Sequence, residues 1–177
     1  NEEKSQLFTN ELSAKGFTFP AKLIAGNPTT RKPFDEGYFV LDSKNNLFQI
    51  KMEKGKPFCV NTAVPSDLSI VKIFVAESNR REFYGYVVTE KNKIFLLSYD
   101  NYRLIELPIQ NYDYEKDIFF IQGDWFYRTI AINRYDNIEV FVTNREYKVI
   151  NHYSENWVGK YESSAGVFAD YLFPFSI

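Results

Sequence analysis

The sequence predicts an all-β fold led by one N-terminal helix. Its body is three four-stranded antiparallel repeats, each like a propeller blade, forming an open or partial β-propeller. Three observations predict this. A paired-strand pattern returns at 38–42 with 47–50, at 86–90 with 94–97, and at 129–133 with 138–142. Aligning Phe48, Phe95 and Phe141 gives steps of 47 and 46 residues, inside the ~40–50-residue period of propeller blades. Aromatic residues make up 18% of the chain, including 17 Phe and 13 Tyr, and such rings pack well on a pleated, half-buried surface.

The elements follow in order. Residues 1–15 read as a helix, because Asn1 can cap it and Glu2 and Glu3 suit its positive end. Lys15 and Gly16 suit its exit, and Leu7, Phe8 and Leu12 give it a narrow apolar stripe. The first repeat takes strands at about 17–24, 37–42, 46–52 and 57–63, with Pro20 tolerated at an edge. Its 26–33 segment is a loop, punctuated by Gly26-Asn27 and two prolines. The second repeat takes 68–76, 84–89, 93–99 and 102–107, and the third takes 117–122, 127–133, 138–143 and 146–153. The central turns are Ser43-Lys44-Asn45-Asn46, Lys91-Asn92 and Arg134-Tyr135-Asp136-Asn137, rich in residues that accept left-handed backbone. Pro65 and Pro108 fall where one repeat hands over to the next. The chain therefore divides into a helix or linker (1–16), a three-blade β domain (17–155) and a tail (156–177) whose 167–175 run is strongly apolar. That run reads either as a tail docked on the core or as a partner-binding segment. Three blades are fewer than the four to eight of a closed propeller.

Composition excludes several classes. At 177 residues the chain buries enough surface to need no staples. Net charge is −2, with Lys and Arg scattered among Asp and Glu, which argues against nucleic-acid binding. The lone cysteine, Cys59, sits between Phe58 and Val60 as a small buried hydrophobe would. No apolar run reaches the ~20 residues of a membrane span. The chain begins at Asn1 rather than Met, so the expectation is a piece of a longer protein.

No catalytic set emerges. A serine triad would have to use His152, the single histidine, and no G-x-S-x-G elbow is present. One His and one Cys do not make a zinc site, so no metal and no cofactor is expected. Acidic groups at Asp35-Glu36, at Asp113, Glu115 and Asp117, and at Asp170 could pair across a cleft, but read more simply as solvated loops.

Two clusters are candidates for binding. The 26–32 loop combines Asn27, Thr29, Thr30, Arg31 and Lys32, a set of donors and cations able to meet an anion or a partner. It matches no phosphate-loop motif. Tyr99, Tyr102, Tyr112 and Tyr114 gather in sequence near the second handover. They could form a sugar- or protein-binding platform, and packing between blades is the plainer reading.

The stretch from Phe19 through Ala25-Gly26-Asn27-Pro28-Thr29-Thr30-Arg31-Lys32, with Phe34-Asp35-Glu36-Gly37-Tyr38 and Leu47-Phe48-Gln49-Ile50-Lys51, resembles a bacterial family of unknown function. The opening Asn1-Glu2-Glu3-Lys4-Ser5 is similar to the segment preceding that core. Proteins of that family resemble ectodomains of membrane-anchored proteins of gram-negative bacteria, associated with ABC-transporter permeases. The resemblance implies a periplasmic domain, tethered to the inner membrane by an N-terminal segment outside this chain, with transporter subunits as partners. It assigns no residue a role. The expectation is a non-enzymatic binding or accessory domain. The alternatives are a carbohydrate- or peptide-binding domain with a hydrolase-like cleft, and a scaffold that dimerises through its open β edges.

Overall fold

The computed structural model describes residues 2–156. The expected Asn1 cap and the tail beyond Asn156, with its 167–175 run and Asp170, lie outside the described residues. The chain divides into two compact units, one to Tyr112 and one from Asp113.

The first unit opens with helix α1 (Glu2–Ala14). It ends because Gly16 turns left-handed at φ +84°. The Phe17 amide then donates to the Leu12 carbonyl (3.0 Å) and the Gly16 amide to the Ser13 carbonyl (3.1 Å), the paired bonds of a Schellman cap. The cap brings Phe17 over Leu12, and both join Val40, Phe48 and Cys59 in one buried cluster.

Sheet 1 runs β1 (Leu23–Gly26), β2 (Tyr38–Leu41), β3 (Leu47–Glu53) and β4 (Lys56–Asn61). Sheet 2 runs β5 (Ile70–Val75), β6 (Phe83–Thr89), β7 (Ile94–Ser98) and β8 (Leu104–Glu106). The second unit holds sheet 3, with β9 (Ile118–Gly123), β10 (Arg128–Asn133), β11 (Asn137–Thr143) and β12 (Val149–Asn156). Each sheet pairs its strands antiparallel in chain order, and none closes into a barrel.

The hairpins sit where the turn chemistry placed them. Asn45 and Asn92 take positive φ (65° and 57°), as Asn tolerates. Two expected strands are shorter than predicted. The 17–24 strand starts only at Leu23, because Phe17 is drawn into the helix cluster and Pro20 has no ladder donor to give. The 102–107 strand begins at Leu104, because Asn101 and Tyr102 both take positive φ.

Strand alternation gives sheet 1 two different faces. Val40, Phe48 and Cys59 point to α1. Phe39, Leu41 and Leu47 point the other way and pack with Ile73, Val87 and Leu97 of sheet 2. Burial raises the Cys59 thiol to about 11. The native protein is expected to resist iodoacetamide at pH 8 and to react only once unfolded, as intact mass would read. Rapid labelling of native protein would contradict this packing.

Asp42 anchors the β2–β3 turn from a fully buried position. Its carboxylate accepts the amides of Lys44 (2.8 Å), Asn46 (2.8 Å) and Thr18 (3.1 Å), and the Asn46 side-chain amide (3.0 Å). Burial alone would raise its pKa, but these donors outweigh it and hold the group below its ordinary value. A depressed folded-state pKa means stability that is present above the unfolded value near 3.8 and lost as pH falls through the lower folded value. Asp42→Ala is expected to cost about 3 kcal/mol at pH 7, and much less at pH 2, by urea titration at both pH values. An equal loss at the two pH values would refute this account.

Candidate functional site

A buried polar network lies beneath the 27–37 segment, wholly within the first unit. Period-two alternation on β3 puts Leu47, Gln49 and Lys51 on one face. The face is apolar at Leu47 and polar from Gln49 onward. Gln49 is 1% exposed, and its amide donates to the Glu36 carbonyl (2.8 Å) and to Glu36 Oε2 (3.3 Å). Its Oε1 accepts the Tyr102 hydroxyl (2.6 Å).

Glu36 is the junction. Its Oε1 accepts the Tyr99 hydroxyl at 2.9 Å, and its Oε2 pairs with Lys51 Nζ at 3.3 Å. Its backbone amide donates to Glu77 Oε1 at 2.8 Å. The Glu77 side chain is fully buried. Its Oε2 has no hydrogen-bond partner among the described residues. Lys32 Nζ closes the network from above, donating to Asp35 (2.8 Å), the Asn27 carbonyl (2.9 Å) and Glu77 (3.3 Å).

The charges set the proton affinities. Burial disfavours the Lys32 ammonium, but Asp35 and Glu77 outweigh it and raise its pKa. Lys51 is raised in the same way, burial being overcome by Glu53 and Glu36. Asp35 is lowered, first by its bond from Lys32. Burial raises Tyr99, and the Glu36 carboxylate raises it further. Tyr84 stacks on Tyr99 at 3.9 Å and on Tyr102 at 5.1 Å, so three rings wall the network. Burial raises Tyr84 and Tyr102 as well.

Lys32, Tyr99 and Tyr102 thus meet in one network, linked through Glu36, Gln49 and Glu77. The rest of the loop bonds to itself. Asn27 Oδ1 accepts the Thr29 amide (3.5 Å), and Thr29 Oγ1 accepts the Arg31 amide (3.2 Å). Thr29, Thr30 and Arg31 are exposed at its crest. Tyr112 lies apart, 2% exposed and engaged with Tyr86, in the role of a core side chain. Tyr114 belongs to the second unit, half-buried. Within the first unit, then, Tyr99 and Tyr102 share the network, whereas Tyr112 is a core side chain beside Tyr86.

Sequence reasoning missed Glu36, Gln49, Lys51, Glu77 and Tyr84. The sequence reads Glu36 with Asp35 as a solvated pair. Asp35 is exposed, but Glu36 is 7% exposed and turned inward. The available signal was Gln49, a polar residue at an inward position between Leu47 and Lys51. Elsewhere, His152 is exposed and stacks on Phe141 at 4.4 Å. Asp117 is turned inward, pairing with Arg134 at 3.3 Å. A crevice lined by Phe39, Ile73, Phe74, Tyr84, Tyr86 and Leu97 is apolar and too tight for a water molecule.

Residues 1–143 match the model of a family described as a domain of unknown function (DUF4857). No curated protein and no solved structure matches the chain.

Proposed function

We propose, on the premise that the chain belongs to the domain-of-unknown-function family DUF4857, that it is a non-enzymatic binding domain presenting its 27–32 loop to a protein partner. It works outside the cytoplasmic membrane, tethered to it, as an accessory module of an ABC transport system. The observation that carries this reading is the contrast across the loop. Below the crest, Lys32 is held by three acceptors and Asn27 lends its carbonyl. At the crest, Thr29, Thr30 and Arg31 face solvent. A loop pinned from beneath loses little conformational entropy on binding, which is how rigid scaffolds present recognition residues. The transporter setting rests on the sequence resemblance around Ala25–Lys32.

The test is site-specific photo-crosslinking from position 30 of the full-length parent in native membranes, read by mass spectrometry. Adducts to transporter subunits are expected, and Arg31→Glu should cut their yield about tenfold. Efficient photolysis with no protein adduct, or adducts unaffected by Arg31→Glu, would overturn the reading.

A further inference from the structure

The three repeats differ at one set of equivalent positions. The 47- and 46-residue steps that align Phe48, Phe95 and Phe141 also align Leu47 with Ile94 and Val140, and Gln49 with Leu96 and Val142. In the first two sheets this face is closed, with Leu47, Ile94 and Leu96 at 0% and Gln49 at 1% exposure. In sheet 3 the same face is open. Val140 and Val142 are only half-buried. Register places Val140 beside Ala131 and Ala131 beside Phe120, so the apolar strip runs across three strands. At its edge Ile118 is 66% and Phe120 54% exposed. The opposite face of sheet 3 is closed by contrast, with Ile130 and Ile132 at 0%.

We propose that the chain's own 167–175 segment covers this open face of sheet 3. The segment reads Val-Phe-Ala-Asp-Tyr-Leu-Phe-Pro-Phe, one charge among eight apolar or aromatic residues, and so matches the strip in character. The distance is easily spanned. β12 ends at Asn156 within the same sheet. The ten residues 157–166 reach about 33 Å when extended, and a four-stranded sheet is about 14 Å across. A tethered segment also binds at a high effective concentration, which favours it over a second molecule at ordinary protein concentrations. The first sheet gives a precedent at the other end of the repeats, where α1 covers the Val40–Phe48–Cys59 face.

A benzophenone side chain at position 120 of the whole chain tests this. Irradiation should give crosslinks within one molecule, mapping to 167–175. Crosslinks only in a dimer band would assign the face to a second copy and overturn the proposal, as would crosslinks only to other segments. Hydrogen exchange supplies an independent readout that needs no residue at 120. A chain ending at Gly166 should exchange the β9–β11 amides at least tenfold faster than the full chain, with β2 and β3 unchanged. Equal exchange in the two chains would also overturn it.

Discussion

Gln49→Ala is expected to destabilise the first unit by about 4 kcal/mol, the sum of a core cavity and the hydrogen bonds lost by two buried polar groups. Gln49 is 1% exposed, so no water enters readily to replace its amide. Its removal leaves the Glu36 carbonyl, now bonded at 2.8 Å, without that partner, and leaves the Tyr102 hydroxyl, now bonded at 2.6 Å, with only the Tyr84 hydroxyl beside it. Gln49→Leu separates the two contributions. Leucine restores most of the volume but none of the hydrogen bonds, so about 2 kcal/mol of loss should remain. Urea denaturation of the three proteins reads this directly. If Gln49→Leu matched or exceeded wild-type stability, the network would be dispensable polarity in a core that prefers to be apolar. The second consequence concerns the loop. Glu36 also receives the Gln49 amide, so loosening it should raise exchange at the Gly37 amide, which now donates to Asp35 at 2.9 Å.

Gly37→Ala is the second large effect, about 3 kcal/mol. Gly37 has φ +75°, where an L side chain costs ~1–2 kcal/mol. The added methyl would also press on the Ile50 carbonyl oxygen and lie 2.5 Å from Lys51 Cβ. Both neighbours belong to β3, so relief requires the strand or the loop to move, at roughly another 1–3 kcal/mol. The expected result is a large drop in the urea midpoint together with weaker crosslinking from position 30, because the same glycine joins the pinned loop to β2. Gly16→Ala is the control. Gly16 also has positive φ, but open space surrounds it, so only the backbone cost of ~1–2 kcal/mol should appear. Equal losses at Gly16 and Gly37 would remove the steric part of the argument.

The hairpins were legible in the sequence because their determinants are local. Asn45 and Asn92 turn the chain by their own backbone preference, and the flanking apolar residues alternate within a few positions. The helix exit was legible for the same reason, since Gly16 is two residues past the last helical turn. The buried polar network was not legible, because its bonds join residues far apart in the chain. Tyr99 meets Glu36 across 63 residues, Tyr102 meets Gln49 across 53, and Lys32 meets Glu77 across 45. No local pattern tells an inward Glu36 from an outward Asp35. Tyrosine clustering in sequence does not separate these roles either. Tyr99 and Tyr102 flank one turn, but Tyr112 has entered the core and Tyr114 starts the next unit.

The strictly sequential strand order has a kinetic side. Among the described residues, sheet 1 ends at Asn61, sheet 2 at Glu106 and sheet 3 at Asn156, and no sheet borrows a strand from another. Each ladder therefore closes only short loops, the cheap kind for a β protein, whose folding is otherwise slowed by distant pairings. A nascent chain can pair the described strands of one sheet before those of the next are synthesised. Chains truncated after Tyr112 should hold a protease-resistant first unit, while chains truncated between Asn61 and Ile70 should lack the apolar partners that sheet 1 gains from sheet 2 and be cleaved readily.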